Sequence, residues 1–391
     1  MVIAVNTRLL LKDRLEGIGW FTYEILRRMV RNNPGHQFVF IFDRPYDPGF
    51  IFGPNVIPKI LFPPSRHPFL WVWWFEWSIP RLLREVGADI FISTDGYLSL
   101  RTDVPQLLVM HDINFVHRPK DLPWLTSKYY NHYFPAFAKK ATKLVTVSGF
   151  SADDISRSFG LDRESISVVF NGVNSDFAPI APEQAEQVRI QYTDGKPFFL
   201  FVGALHPRKN VDGLLRAFDR FRLENGPEVK MVIAGGQMFK TGPIHEVYNH
   251  MQFREEVIFT GRVPSAELKK LMASAMALTF VPHFEGFGIP VIEAMSAGTP
   301  VICSNTTSLP EVGGEAVLYV NPGDVDDIVS AMNRISSDAG LRNQLRESGF
   351  RQKEKFNWET SAVQLWEAVQ GVLANVAGNK NAGHAETGSK E

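Results

Sequence analysis

Short apolar runs alternate with longer stretches of helical period along most of the chain. The runs at 2–6, 37–42, 89–93, 106–110, 143–147 and 166–169 are mostly apolar, as are those at 198–202, 230–234, 257–260, 277–281, 301–303 and 316–320. Short runs of this kind fit strands buried on both faces, as in a parallel sheet. Between them, 21–31, 151–159, 211–223, 265–273 and 326–336 repeat apolar positions at amphipathic-helix spacing. The alternation predicts α/β architecture, with parallel sheets covered by helices on both sides.

The series pauses once. Asn171-Gly-Val-Asn-Ser-Asp follows a strand run, and Ala178-Pro-Ile-Ala-Pro reads as a proline-punctuated linker. A length of 391 residues agrees with more than one domain. The expected division is 1–176 and 177–357, each a Rossmann-like domain, with a cleft between. A helical pattern occupies about 358–375. From about Ala377 the chain is Gly, Asn, Lys, Ser and Glu without period, a composition expected to stay disordered over 377–391. Sheets of this type bind ligands outside the carboxyl ends of their strands, so polar residues just past strand runs are the candidate site.

Composition narrows the partners. Hydrophobic residues make up 45%, charged residues 21%, and the net charge is -1, which gives no global field for nucleic acid. The single cysteine, Cys303, excludes an intrachain disulfide and a multi-cysteine metal site. It ends an apolar run and reads as a small buried side chain. No basic signal region opens the sequence and no window of about 18 apolar residues occurs, so a cytoplasmic protein is expected.

One stretch concentrates the chemistry. His283-Phe-Glu-Gly-Phe-Gly-Ile-Pro-Val-Ile-Glu-Ala-Met-Ser-Ala-Gly-Thr-Pro-Val-Ile-Cys303 sets Glu285 and Glu293 in apolar, glycine-rich surroundings. The run before Pro282 predicts a strand, and Gly286 and Gly288 a tight turn. Pro290 suits an early helix position and Gly298 a helix end. Glu285 then lies in the loop after a strand, and Glu293 one turn into a helix. A capping and a solvated glutamate are the plain alternative. Against it, a glycine turn before a helix presents amides to an anion, while carboxylates accept from sugar hydroxyls. The two together describe a nucleotide-sugar.

Glu285-Gly-Phe-Gly-Ile-Pro-Val-Ile-Glu293, followed by Ala-Met-Ser-Ala-Gly-Thr-Pro-Val, resembles the E-x7-E signature of the retaining glycosyltransferases of family 4. The likeness extends to the bacterial polysaccharide and mannosyltransferase-like group. It implies the GT-B architecture, two facing Rossmann-like domains with a C-terminal helix crossing back. The first would be the acceptor domain and the second the nucleotide-sugar donor domain. It further implies that Glu285 meets hydroxyls of the donor sugar and Glu293 those of the ribose, with Gly286, Phe287 and Gly288 at the donor.

Four further motifs bear on this. Phe201-Val-Gly-Ala-Leu-His-Pro-Arg-Lys-Asn210 puts Arg208 and Lys209 between a strand and a helix, where a fork and a point charge suit a diphosphate. A solvated basic turn is the alternative. The family pattern Gly-x-Leu-x-x-x-Lys matches Gly203 and Lys209. Ala204 stands where many members carry arginine, which leaves Arg208 to supply the second charge. Leu107-Leu-Val-Met-His-Asp-Ile113 places His111 and Asp112 at a strand end. Alone they read as a structural histidine and a turn cap; the resemblance implies a pair facing the donor sugar.

Arg14-Leu-Glu-Gly-Ile-Gly-Trp-Phe-Thr22 lacks the spacing of a dinucleotide fingerprint, which argues against a nicotinamide enzyme. The resemblance assigns Gly17 and Gly19 to a loop near the diphosphate and acceptor. Thr306-Thr-Ser-Leu-Pro-Glu311 resembles a loop near the donor, although Glu311 also reads as an acid at a helix start. Pro68-Phe-Leu-Trp-Val-Trp-Trp-Phe-Glu-Trp-Ser-Ile-Pro80 is apolar on all sides and is expected to be a buried helix. A membrane interface is the alternative for its tryptophans.

The expected activity is transfer of a hexose-type sugar from a nucleoside diphosphate-sugar to a hydroxyl acceptor, with a lipid-linked glycan among the candidates. Retention is implied, within cell-surface polysaccharide or glycoconjugate synthesis. Cations and amides would stabilise the leaving diphosphate, so neither metal nor cofactor is expected. Peripheral contact with the inner face of the cell membrane is the accompanying expectation. The competing classes are a non-catalytic nucleotide-sugar binding protein and a sugar-nucleotide epimerase of the same architecture.

Overall fold

The computed structural model describes residues 1–225, 228–236 and 242–387. The chain divides into two units. The first comprises Met1–Val116, Trp124–Asn171 and Asn357–Glu391; the second comprises His117–Pro123 and Gly172–Phe356.

In the first unit, β1 (Val2–Asn6), β2 (Gln37–Phe42), β3 (Val56–Ile60), β4 (Ile90–Ser93), β5 (Gln106–Val109), β6 (Lys143–Thr146) and β7 (Ile166–Val168) form a sheet in the order β3-β2-β1-β4-β5-β6-β7. Every pairing in it is parallel. Consecutive residues such as Ile3, Ala4 and Val5 are fully buried, because helices cover both faces. The strand Val-Ile-Pro-Lys-Ile of β3 escaped the apolar pattern. Pro58 cannot donate to a ladder, and among the described residues β3 lies at the sheet edge beside β2, where that loss is tolerated.

In the second unit, β8 (Phe198–Val202), β9 (Lys230–Ala234), β10 (Val257–Gly261), β11 (Ala277–Phe280), β12 (Val301–Ser304) and β13 (Leu318–Val320) form a parallel sheet in the order β10-β9-β8-β11-β12-β13. Its core includes Phe199, Phe201, Phe218, Met231 and Ile302. Both sheets reverse their strand order once, between β1 and β4 and between β8 and β11. Such switch points open a crevice at the carboxyl ends of the strands.

Several boundaries differ from the sequence reading. The first unit ends at Asn171 rather than 176, because the next residues are tied to the second unit. Val173 N donates to Phe356 O (3.1 Å) and Ser296 Oγ donates to Phe177 O (2.6 Å). The helix Gly17–Asn32 begins at Gly17, so Gly17 and Gly19 form its first turn instead of a loop before it. The last helix, Trp358–Thr387, runs past Ala377, where disorder was expected. Extending an existing helix adds one hydrogen bond per residue fixed, which favours propagation through weak formers. Residues 388–391 lie outside the described residues.

That last helix belongs to the first unit. Trp358 packs edge to face on Phe21 (6.0 Å between centroids), Ser361 Oγ donates to Phe170 O (2.7 Å), and Leu365 and Val369 are fully buried. The tryptophan-rich stretch is helical from Pro68 to Glu85, with a π-helical turn at Trp74–Ser78. It is buried on one face only. Trp74 and Phe75 are inside, whereas Phe69, Trp73 and Trp77 are 70%, 56% and 44% exposed. A helix packed on one side can bury only the stripe that faces its neighbours, so an all-round apolar sequence leaves aromatics outside. Among the described residues, no helix is long and apolar enough to cross a membrane.

Candidate functional site

The switch point of the second sheet gathers three of the expected residues. β8 ends at Val202 and Gly203 follows with φ of 148°, a conformation that favours glycine. Gly203 N donates to Ala234 O (3.0 Å), and a Cβ on neighbouring Gly235 would lie 1.8 Å from Gly203 O. The strand exits therefore approach as closely as two backbones can.

His206 then starts the short turn Pro207–Lys209. Its Nδ1 accepts from Arg208 N (3.2 Å), which requires the neutral ring. Burial, and then the charge of Arg208, push His206 down to about 4. Asn210 closes the turn at φ of 57°; its side-chain amide donates to Val281 O (3.0 Å) and Pro322 O (2.7 Å).

Arg208 and Lys209 meet Glu285, which lies beyond β11. Arg208 Nη1 donates to Glu285 Oε2 (3.0 Å) and to Phe284 O (3.1 Å), and Lys209 Nζ donates to the same Oε2. Lys209 is 8% exposed and also lies 4.9 Å from the centre of the Phe280 ring. Burial would raise the Glu285 carboxyl, yet Lys209 and then Arg208 outweigh it and hold the group below its ordinary value. Arg208 thus joins Lys209 on one carboxylate, despite alanine at 204.

Past Glu285 the chain turns into the helix Ile289–Ala297. Gly288 caps its start at φ of 108°, Pro290 sits in its first turn, and Gly298 ends it at φ of 73°. Phe287 turns inward, its ring buried edge to face against Phe356 at 5.5 Å, so its main chain is the part a ligand can use. Glu293 stands one turn into this helix, between buried Ile292 and Ala294. Among the described residues nothing donates a hydrogen bond to its carboxylate. Burial pushes it up to about 8, and Lys269 opposes only weakly. A carboxylate so placed is an acceptor without a donor.

The turn before that helix is braced from a second loop. Glu285 N donates to Thr307 Oγ1 (3.3 Å), and Ser308 Oγ lies within donating distance of Glu285 O (2.8 Å) and Phe287 O (3.1 Å). Thr307 is left-handed, with φ of 59°. Sequence reading placed Thr307 and Ser308 in a loop resembling one near the donor, and His206 and Asn210 in the basic motif, but gave none of the four a role. Cys303 is fully buried, and burial pushes its thiol up.

The first unit carries the other expected residues. His111 lies past β5, its Nε2 3.0 Å from Thr94 O. A carbonyl only accepts, so Nε2 carries the proton and Nδ1 is left as an acceptor. Burial pushes this imidazole down, which agrees with a neutral ring. Asp112 Oδ1 accepts from Asn114 N (3.0 Å) and Asn114 Nδ2 (2.6 Å), so one of its oxygens caps the short helix Asn114–His117. Gly19 is packed tightly: a Cβ there would lie 3.0 Å from Leu9 O.

At the switch point of the first sheet, an ion pair that sequence reading missed joins Arg8 and Asp95 (2.6 Å), both buried. Asn6 Nδ2 donates to Asp95 Oδ1 (2.9 Å), and the Arg8 guanidinium lies 4.0 Å from the Tyr97 ring centre. Neither residue stood in a motif; only the sheet brings the ends of β1 and β4 together.

Known proteins resemble the chain across both units. Residues 15–177 match the family described as Glycosyltransferase Family 4, and residues 183–352 match Glycosyl transferases group 1. The chain is 30% identical to O-antigen chain mannosyltransferase B of Escherichia coli over 289 residues, covering 74% of this chain and 76% of that protein. It is 29% identical to the O-antigen chain mannosyltransferase RfbU of Salmonella typhimurium over 285 residues, covering 72% and 75%. Among solved structures, sucrose-phosphate synthase from Thermosynechococcus elongatus superposes with a TM-score of 0.77 at 18% identity, covering 96% of this chain and 99% of that one.

Proposed function

We propose, for a chain that belongs to the family 4 glycosyltransferases, transfer of mannose or a closely related hexose from a nucleoside diphosphate-sugar to a hydroxyl of a cell-surface glycan, with retention at the anomeric carbon. The observation that carries the site assignment is the meeting of Arg208 and Lys209 on Glu285 at the β8–β11 switch point, beside the helix that bears unpartnered Glu293. The similarity to two O-antigen mannosyltransferases supports mannose and a polysaccharide acceptor.

In this reading Lys209 and Arg208 bind the diphosphate with the amides of the Gly286–Gly288 turn, and Gly203, which has no side chain, lets the β8 exit come close to it. The cations and amides stabilise the charge that grows as the sugar leaves. Glu285, already held by both cations, accepts from hydroxyls of the donor sugar, and Glu293 accepts from the ribose hydroxyls. His111 offers Nδ1 as an acceptor and Asp112 supports its strand end. Gly17 and Gly19, in the first turn of their helix, are assigned to donor and acceptor binding by the family resemblance. Two fixed cations do the work a divalent ion would do, so metal is not required.

A thermal-shift panel tests the donor. Guanosine and uridine diphosphate sugars carrying mannose or glucose are the probes. The cognate donor at about 100 times its Kd should raise the melting temperature by about 5 °C or more. The radiolabelled sugar should then pass to a glycan acceptor. A chain that no nucleotide-sugar stabilises, or that turns the donor over only to an epimer, contradicts the reading.

The exposed aromatics support a lipid-linked acceptor met at the membrane. Phe62, Phe69, Trp73 and Trp77 stand outside, with exposed Arg66, Arg81 and Arg101 in the same part of the chain. Arg101 lies 4.5 Å from the Trp77 ring centre. Tryptophan with arginine suits an interface bearing anionic headgroups. The protein should float with anionic vesicles, and Phe69→Ser with Trp73→Ser should remove most of that binding. Equal flotation of wild type and variant excludes this surface.

A further inference from the structure

We propose that Thr307 and Ser308 are positioning residues that hold the main chain of Glu285, and so fix where its carboxylate meets Arg208 and Lys209. The inference rests on the reading of Glu285 as a donor-binding residue. It deepens that reading by naming what sets the carboxylate in place.

Four hydrogen bonds carry the argument. The Thr307 hydroxyl has one proton, and it donates to the adjacent Thr306 O at 2.7 Å. Its lone pairs are thereby turned toward Glu285 N, which donates to Oγ1 at 3.3 Å. Ser308 Oγ is fully buried and its single proton is shared between Glu285 O at 2.8 Å and Phe287 O at 3.1 Å. Both main-chain groups of Glu285 are therefore held by one loop more than 20 residues further along the chain. Leu309 completes the brace, because a Cβ at Gly288 would lie 2.6 Å from Leu309 Cδ2. The φ of 108° at Gly288 favours glycine there in addition to this close approach.

Thr307 makes its contact from an unfavourable backbone. A β-branched residue at φ of 59° is a true outlier, since the left-handed region crowds its Cβ. Gly or Asn would occupy it with less strain. Such strain persists where surrounding structure imposes it, and it collects at functional sites. A hydroxyl at 307 is what Gly would lack. The contact that this hydroxyl makes beyond its own peptide neighbour is the one to Glu285 N.

The geometry predicts that fold stability and turnover separate at this residue. Thr307→Gly relieves the strain and removes the hydroxyl. Its melting temperature should be unchanged or raised, while kcat falls about tenfold or more and the donor KM changes less than about threefold. Thr307→Asn tolerates the left-handed backbone and restores a side-chain acceptor, so it should recover kcat to within about threefold of wild type. Ser308→Ala should lower kcat in the same sense.

Glu285→Gln is measured alongside, because its outcome separates the two readings. If Glu285→Gln turns over as the wild type does, the donor-site reading fails and the positioning role fails with it. If Glu285→Gln is impaired but Thr307→Gly keeps kcat within about twofold, the site stands and the positioning role is overturned. In the double variant, the Thr307 effect should largely disappear, as expected of residues that act as one unit. Full additivity of the two losses would show that Thr307 acts elsewhere.

Discussion

Lys209→Met should lower kcat by about 10²–10³-fold, the usual loss when one preorganised group on a developing charge is removed, with the donor KM changed by less than about tenfold. Lys209 is almost buried, lies against the Phe280 face, and shares Glu285 Oε2 with Arg208. In the empty protein its charge is already partly balanced by that carboxylate. Ground-state gain from an incoming diphosphate is thereby reduced. Charge added at the bridging oxygen during bond breaking is not balanced beforehand, so the lysine acts mostly in the transition state.

Methionine keeps much of the side chain's length and apolar body, which limits the packing loss. The substitution also leaves Glu285 with Arg208 alone. A carboxyl held below its ordinary value contributes stability that is present above that value and lost as pH falls through the folded one. In Lys209→Met the folded value rises toward the unfolded one, so the stability this group loses in acid should become smaller. Steady-state kinetics with the cognate donor and pH-dependent unfolding check both parts. A raised KM at constant kcat would assign Lys209 to uniform binding instead.

Glu293→Gln should weaken donor binding by about tenfold or more and yet make the empty protein more stable at pH 8. A hydrogen bond to a charged group is worth roughly 1.5–3 kcal/mol, which sets the first figure. The second follows from burial, which pushes the Glu293 carboxyl up from 4.5 to about 8. Between those values the folded protein keeps a proton that the unfolded chain releases. Stability contributed by this group is therefore full below pH 4.5, falls as pH rises toward 8, and is flat above.

Glutamine removes that slope. Glu293 keeps some access to solvent, so the gain should be about 1–2 kcal/mol, a melting temperature higher by a few degrees. Ribose hydroxyls donating to the carboxylate favour its charged form, so wild-type affinity should improve as pH rises toward 8. That dependence should vanish in Glu293→Gln. Calorimetric titration and thermal melts between pH 6 and about pH 8.5 test it; a variant with unchanged affinity and unchanged stability would place Glu293 outside the donor site.

The fold was legible wherever one strand's own residues decide its state. β1, β2, β8 and β9 coincide with their apolar runs, because strands buried on both faces need little else. β3 was not legible, since its proline is acceptable only at an edge, and edges are decided by the whole sheet. The tryptophan-rich helix was misjudged for a related reason: periodicity cannot tell which side meets a neighbour when all sides are apolar.

The candidate site divides the same way. Glu285, Glu293, Arg208 and Lys209 stand in local patterns that chemistry can interpret. Thr307 and Ser308 act through contacts across 22 and 23 residues, and Arg8 with Asp95 across 87. No local spacing announces those. Left-handed Thr307 is likewise invisible, because the residue that adopts the left-handed conformation is neither glycine nor asparagine.

The placement of Trp358–Thr387 against Phe21 and Phe170 has a consequence for synthesis. A ribosome releases residues in order, so the first unit emerges early but lacks its covering helix until the whole of the second unit has been made. The second unit needs only Gly172–Phe356 and the already emerged His117–Pro123. The later half of the polypeptide can thus mature before the earlier half, and a chaperone guarding the nascent chain would have Phe21, Ile25 and their neighbours to shield in the interval.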